Sequence, residues 1–209
     1  DHAVAGATLT PKTPGSARLV ASAGPAFFTP PCTPAEITYA TPTLIIPNLL
    51  LGGYCTPGFA PKELIGAFGF NCTQDMQNNI VGIAYENVED TFDVNDIFRK
   101  DDALPSALLC QFDRLVNAIY QKLSEEKKVY VHCEAGRDRS PFVVAACLLA
   151  KDPKQSVEQV IDFLNQQYGA KKHSVANPQH RKNLEQWFEW RKQRPLKLEL
   201  HPCPGRCCL

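Results

Sequence analysis

The sequence predicts a single α/β domain with a central, mostly parallel sheet flanked by helices. Apolar runs of strand length stand at residues 43–53, 80–88 and 129–132, and stretches between and after them carry apolar residues at helical three- and four-residue steps. Their order (strand, helix, strand, loop, helix, helix, helix) is that of strands joined by helical crossovers. The length of 209 residues, 44% of them apolar, suits one core.

Each element has its own signal. Residues 1–42 are rich in Ala, Thr, Ser and Pro without a sustained period, and read as a flexible N-terminal arm. TLIIPNLLLGG at 43–53 reads as one or two short strands with a turn, closed by Gly52 and Gly53. KELIGAFGF at 62–70 predicts a short helix ending at Gly69, IVGIAYENV at 80–88 a strand, and 89–102 an acidic, turn-prone segment. Leu108, Leu109, Phe112, Leu115, Val116, Ile119, Tyr120 and Leu123 place an amphipathic helix over 106–123. VYVH is a short strand, 141–149 a continuously apolar helix, and 156–168 and 179–192 two further helices, the last packed through Trp187 and Trp190. The domain is expected over 43–195, with a frayed tail at 196–209.

The formal charge is zero, 22 Lys and Arg against 22 Asp and Glu, which disfavours a nucleic-acid or anionic-membrane binder. That sum hides an asymmetry. Up to Leu109 there are 5 basic and 11 acidic side chains, and from Cys110 onward 17 and 11. The longest apolar run, FVVAACLLA, is far below the roughly 18–20 residues of a membrane span, so no transmembrane segment is expected. The N-terminal DHAVAGATLT lacks the basic and apolar regions of a secretory signal. The nine Cys lack metal-ligand spacing and form no evident disulfide framework, so reduced thiols, a cytoplasmic setting and no metal are expected. At the C-terminus a prenylation box would need Cys where Arg206 stands, leaving only Cys207 and Cys208 for lipidation.

The chemistry concentrates in His132-Cys133-Glu134-Ala135-Gly136-Arg137-Asp138-Arg139-Ser140. A loop that leaves a strand and enters a helix turns successive N–H groups into a concavity, and the helix N-terminus adds partial positive charge. Glu134, Ala135, Gly136, Arg137 and Asp138 form this substrate-binding cradle. Ser140 suits the N-cap and Pro141 the first helical position, and Gly136 supplies a positive φ. Cys133 at its floor has its thiolate stabilised by the same amides and by Arg139, which makes it a nucleophile. Arg139 is a planar fork for two phosphate oxygens. His132 is expected to fix the loop by hydrogen bonding, and Cys147 to be core packing.

HCEAGRDRS resembles the signature loop of the cysteine-dependent protein tyrosine phosphatases, and the short domain resembles their dual-specificity branch. The resemblance runs over about 43–192: IIPNLLLGG is similar to the branch's opening strand and turn, and the stretch from SVEQVIDF to NLEQW to its closing helices with Asn-Pro between them. It implies a phosphocysteine intermediate on Cys133, hydrolysed by water without metal or other cofactor, with Ser140 helping the thiolate depart. The substrates implied are phosphorylated proteins. GRDRS is also similar to the GKDRT loop of bacterial phosphatases that act on phosphoinositides too, so Arg137 is a candidate contact for a second phosphate and Asp138 for orienting either arginine. A silent phosphate-binding module is a remote alternative, since such proteins commonly lack the Cys or the Arg.

The family's general acid is an Asp on an upstream loop, and Asp90, Asp93, Asp96, Asp101 and Asp102 are available. Asp101 and Asp102 match the family spacing; Asp90 is favoured because IAYENVEDT runs from strand into Asp-Thr. Lys171, Lys172, His173, Arg181 and Lys182 are candidates for a basic face beside the loop. An easily oxidised Cys133 also invites a disulfide to Cys55, Cys72 or Cys110, among which spacing does not choose.

Overall fold

The structure, a computed structural model, describes residues 42–53, 62–73, 80, 82–85, 94–98, 102–169 and 177–194. Asp90, Asp93, Asp101, Lys171, Lys172, His173, Cys55 and the expected arm and tail lie outside them, apart from Pro42 at the arm's end.

Five strands form one sheet in the order β1-β2-β5-β3-β4. β1 (Thr43–Ile46) and β2 (Leu49–Gly53) are an antiparallel hairpin. Its turn falls at Pro47 and Asn48, where Pro presets φ and Asn adopts φ 67°. Gly52 and Gly53 end β2, buried beside β5 (Val129–Cys133). β5, β3 (Phe68–Asn71) and β4 (Ala84–Tyr85) join in parallel, as expected of a mostly parallel sheet.

The helix expected over 62–70 is replaced by a single 3-10 turn, Lys62–Leu64, followed by β3. The two-residue alternation of FGFN wins because the neighbouring β5 supplies a full ladder of hydrogen bonds, whereas a helix this short gains little cooperativity. Within the acidic 89–102 stretch a helical turn, α1 (Asn95–Phe98), forms, seating Ile97 in the core.

The amphipathic segment is α2 (Ser106–Ser124), with Leu109, Phe112, Leu115, Val116 and Ile119 buried. α3 (Arg139–Lys151) is buried from Ser140 through Leu149, which explains its continuous apolarity. α4 (Val157–Leu164), prolonged by a π-helical turn at Asn165–Gly169, and α5 (Pro178–Lys192) complete the layer over β2 and β5. Phe112 meets Phe142 and Trp187, each with ring centroids 5.3 Å apart, locking α2, α3 and α5 together. Buried Arg191 of α5 ties back to α2 through Asp113 and through Asn117 at 2.9 Å. Alternation splits the sheet's faces: Leu49, Leu51, Val129 and Val131 enter the helix-covered core, while Leu50 and Tyr130 meet Leu64, Ala67 and Ile80 on the other side.

Candidate active site

β5 carries Cys133 to the C-terminal edge of the sheet, and the chain turns through Glu134–Asp138 into α3. This is where an α/β sheet offers a ligand-binding crevice. Gly136 has φ 70°, as its place in the loop demands.

The helix starts two residues earlier than expected. Asp138 is the N-cap, and Arg139, Ser140 and Pro141 are the first three helical residues. Pro is accepted there because the first-turn N–H groups have no intrahelical partner. α4 and α5 are capped by side chains, Ser156 in a reciprocal box with Gln159 and Asn177 accepting from Gln179, but Asp138 makes no such bond. The positive end of α3 is thus left facing the loop without a side-chain cap.

Cys133 is buried at 2% exposure, with Sγ 3.2 Å from Ser140 Oγ. Ser140 is itself buried and donates to the Gly52 carbonyl at 3.0 Å. A hydroxyl has one proton, so while Gly52 receives it the Cys133 thiol must be the donor toward Oγ; a thiolate would draw that proton across to sulfur.

Arg139 donates to the Glu134 carboxylate at 3.3 Å, and Arg137 pairs with Asp138 at 3.7 Å. Glu134 is largely exposed, so its hold on Arg139 is weak and readily exchanged for a bound oxyanion. Arg137 is also exposed and already has a carboxylate partner. Arg181 pairs with Glu158 on α4, and Lys182 is exposed. Asp96 and Asp102 are exposed.

Three supports of the loop were not visible in the motif. Gly53, directly opposite Cys133, lets the loop close down on β2: a Cβ there would stand 2.5 Å from the Ala135 carbonyl carbon and 2.6 Å from Gly136 N. Tyr130 donates to the Gly53 carbonyl at 2.8 Å, burial pushing its phenol well above the usual range. Tyr168, on the π-helical turn, donates to the Gly136 carbonyl at 2.8 Å. His132 is fully buried, which lowers its pKa to about 4 and keeps it neutral; its Nε2 is 3.0 Å from the Tyr85 hydroxyl on β4.

Cys72, Cys133 and Cys147 stand outside any disulfide, whereas Cys110 is disulfide-bonded, departing from the expectation of reduced thiols throughout. Burial pushes the Cys147 thiol up to about 12, as befits core packing. Among the described residues no cluster has the makings of a metal site, and no helix is long and apolar enough to cross a membrane.

A cysteine at a strand's end, a closed loop and an arginine opening the next helix come together at one edge of the sheet. The family model of the dual specificity phosphatase catalytic domain matches residues 62–190. The chain belongs to this family of phosphatases. Its fold is similar to a mouse putative dual specificity phosphatase complexed with zinc tungstate (17% identity, TM-score 0.54, covering 82% of this chain and 96% of that one). It is also similar to human DUSP28 (18%, 0.52, 72% and 98%) and to a leucine-rich repeat and phosphatase domain protein from Entamoeba histolytica (12%, 0.50, 77% and 99%). At these identities the likeness is one of fold. No curated protein matches the sequence.

Proposed function

We propose that this phosphatase hydrolyses phosphate monoesters of phosphotyrosine and phosphoserine or phosphothreonine in proteins, through a phosphocysteine on Cys133. The observation that carries the reading is the placement of the Cys133 sulfur at the floor of the loop, within hydrogen-bond reach of Ser140 and beside the helix that Arg139 opens. The thiolate attacks phosphorus, the loop amides and Arg139 hold the equatorial oxygens, and an Asp, with Asp90 favoured, gives its proton to the departing oxygen. Water then cleaves the S–P bond, and Ser140 donates to the returning thiolate.

The loop's charges favour a single phosphate over a polyphosphorylated inositol. Glu134 and Asp138 offset the charges of Arg137 and Arg139. The full chain should hydrolyse p-nitrophenyl phosphate in the presence of a chelator, and Cys133→Ser should abolish this. In the same assay Asp90→Ala should lower kcat more than Asp101→Ala or Asp102→Ala. Undiminished activity of Cys133→Ser would refute the mechanism, and faster phosphate release from phosphoinositides than from phosphopeptides would move the substrate class to lipids.

A further inference from the structure

Two amide side chains of α5 hold the stretch of chain from which the general acid comes. All five candidate aspartates lie within residues 90–102. Inside that stretch stands α1, whose four residues are too few to sustain a helix alone, because the last four carbonyls of any helix find no partner within it. It is held from outside. Val94 and Ile97 are fully buried, and the Ile97 carbonyl accepts from Asn183 Nδ2 at 2.6 Å. Asn183 is fully buried as well, and its orientation is set: Gln179 Nε2 donates to its Oδ1 at 2.9 Å, which turns the amide nitrogen toward α1. Gln179 is in turn fixed at the helix start, where its N–H donates to the Asn177 side chain at 2.9 Å.

One turn further along α5, Gln186 Oε1 accepts from the Leu104 N–H at 3.0 Å. That N–H lies just outside α2, whose N-cap is Pro105 and makes no side-chain cap bond. Leu104 itself is buried. Asn183 and Gln186, three residues apart, share one face of α5. A single helix therefore grips the backbone at residue 97 and again at residue 104, on either side of Asp101 and Asp102 and just after Asp90, Asp93 and Asp96. Packing alone does not call for amides here, since an apolar side chain fills a core without polar atoms to satisfy.

We infer that Asn183 and Gln186 are positioning residues for the general acid, holding the acidic stretch so that its carboxyl group meets the leaving oxygen. The inference rests on the proposed phosphatase reading, but not on which aspartate is the acid. When the P–O bond breaks, the departing oxygen keeps the electron pair and takes the carboxyl proton. A leaving group that is the anion of a strong acid needs no such proton. The two amides therefore matter for one class of ester and not for the other.

The test compares kcat/KM of the full wild-type chain, Gln186→Met and Asn183→Leu on two esters. Phenyl phosphate releases a phenol with a pKa of about 10, like that of tyrosine; 2,4-dinitrophenyl phosphate releases an anion that departs unaided. Gln186→Met keeps the length of a half-buried side chain and removes its acceptor, so it decides the matter if Asn183→Leu fails to fold. Both variants should lose about tenfold on phenyl phosphate, part of the roughly 10²–10⁴ that a positioned acid contributes, and less than about twofold on the dinitrophenyl ester. The fall of kcat/KM at high pH on phenyl phosphate should flatten with it. Added to the Asp→Ala variant that loses most activity, Gln186→Met should cost nothing further. Equal losses on the two esters, an unchanged rate on phenyl phosphate, or a further loss in the double variant would overturn the inference. Hydrolysis of both esters that survives Cys133→Ser would refute the mechanism and the inference with it, a result read from the Cys133 variant alone.

Discussion

His132 lies fully buried between Tyr130 and Tyr85, and its charge state links the loop to the stability of the fold. Burial sets its folded pKa at about 4, below the ordinary 6.5. The unfolded chain therefore binds the proton first as pH falls. The stabilisation is complete above pH 6.5 and drains away between there and pH 4, reaching a loss of about 2 kcal/mol by pH 5. In urea titrations at pH 7 and pH 5, His132→Gln should lack this increment, whatever its stability at pH 7. An equal drop in both proteins would show that another group carries the acid sensitivity. Gly136 announced its positive φ through its position in the motif, whereas Gly53 gave no local sign. Its requirement arises from a loop more than eighty residues later in the chain that packs on its α-hydrogen.

At the scale of elements, the π-helical turn after α4 positions the loop through one hydroxyl. Tyr168 holds the Gly136 carbonyl, and because C=O and N–H point oppositely in a trans peptide, it also sets the direction of the Arg137 amide. Tyr168→Phe keeps the ring and should weaken inhibition by inorganic phosphate about tenfold, corresponding to about 1.4 kcal/mol, with kcat reduced less than kcat/KM. Unchanged phosphate affinity alongside a lower unfolding midpoint would mean that Tyr168 only packs.

The helices were legible because each buries a stripe that the sequence spells at helical spacing, α2 above all. β3 was not, since FGFN is too short for its period to separate strand from helix, and the partner that decides the matter, β5, lies some sixty residues away. The start of α3 was misplaced for a different reason. Ser-Pro is a strong local helix-start signal, but Ser140 turns its hydroxyl to Gly52 and Cys133 instead of capping.

On the scale of the whole molecule, the parallel strands β2, β5 and β3 end together, and their last residues meet at one point. Gly52 and Gly53 come from β2, His132 and Cys133 from β5, and Cys72 from the step beyond β3. The motif pointed to Cys133, Arg139 and the loop, but Gly53 and Tyr168, which the fold brings beside them, gave no sign in it. The charge asymmetry along the chain has a similarly local resolution. Arg181 and Arg191 from its basic half are paired with Glu158 and Asp113.

The proposed mechanism has Cys133 carry the phosphoryl group during turnover, and Ser140→Ala exposes that step. Without a hydroxyl 3.2 Å from sulfur, the thiolate leaves more slowly, so breakdown of the intermediate should lag behind its formation. Rapid mixing with p-nitrophenyl phosphate, followed by acid quench and peptide mass spectrometry, should show a burst of nitrophenol near one per enzyme and a Cys133 peptide heavier by one phosphoryl group. A linear time course with no phosphate on Cys133, or with phosphate on another residue, would contradict the account.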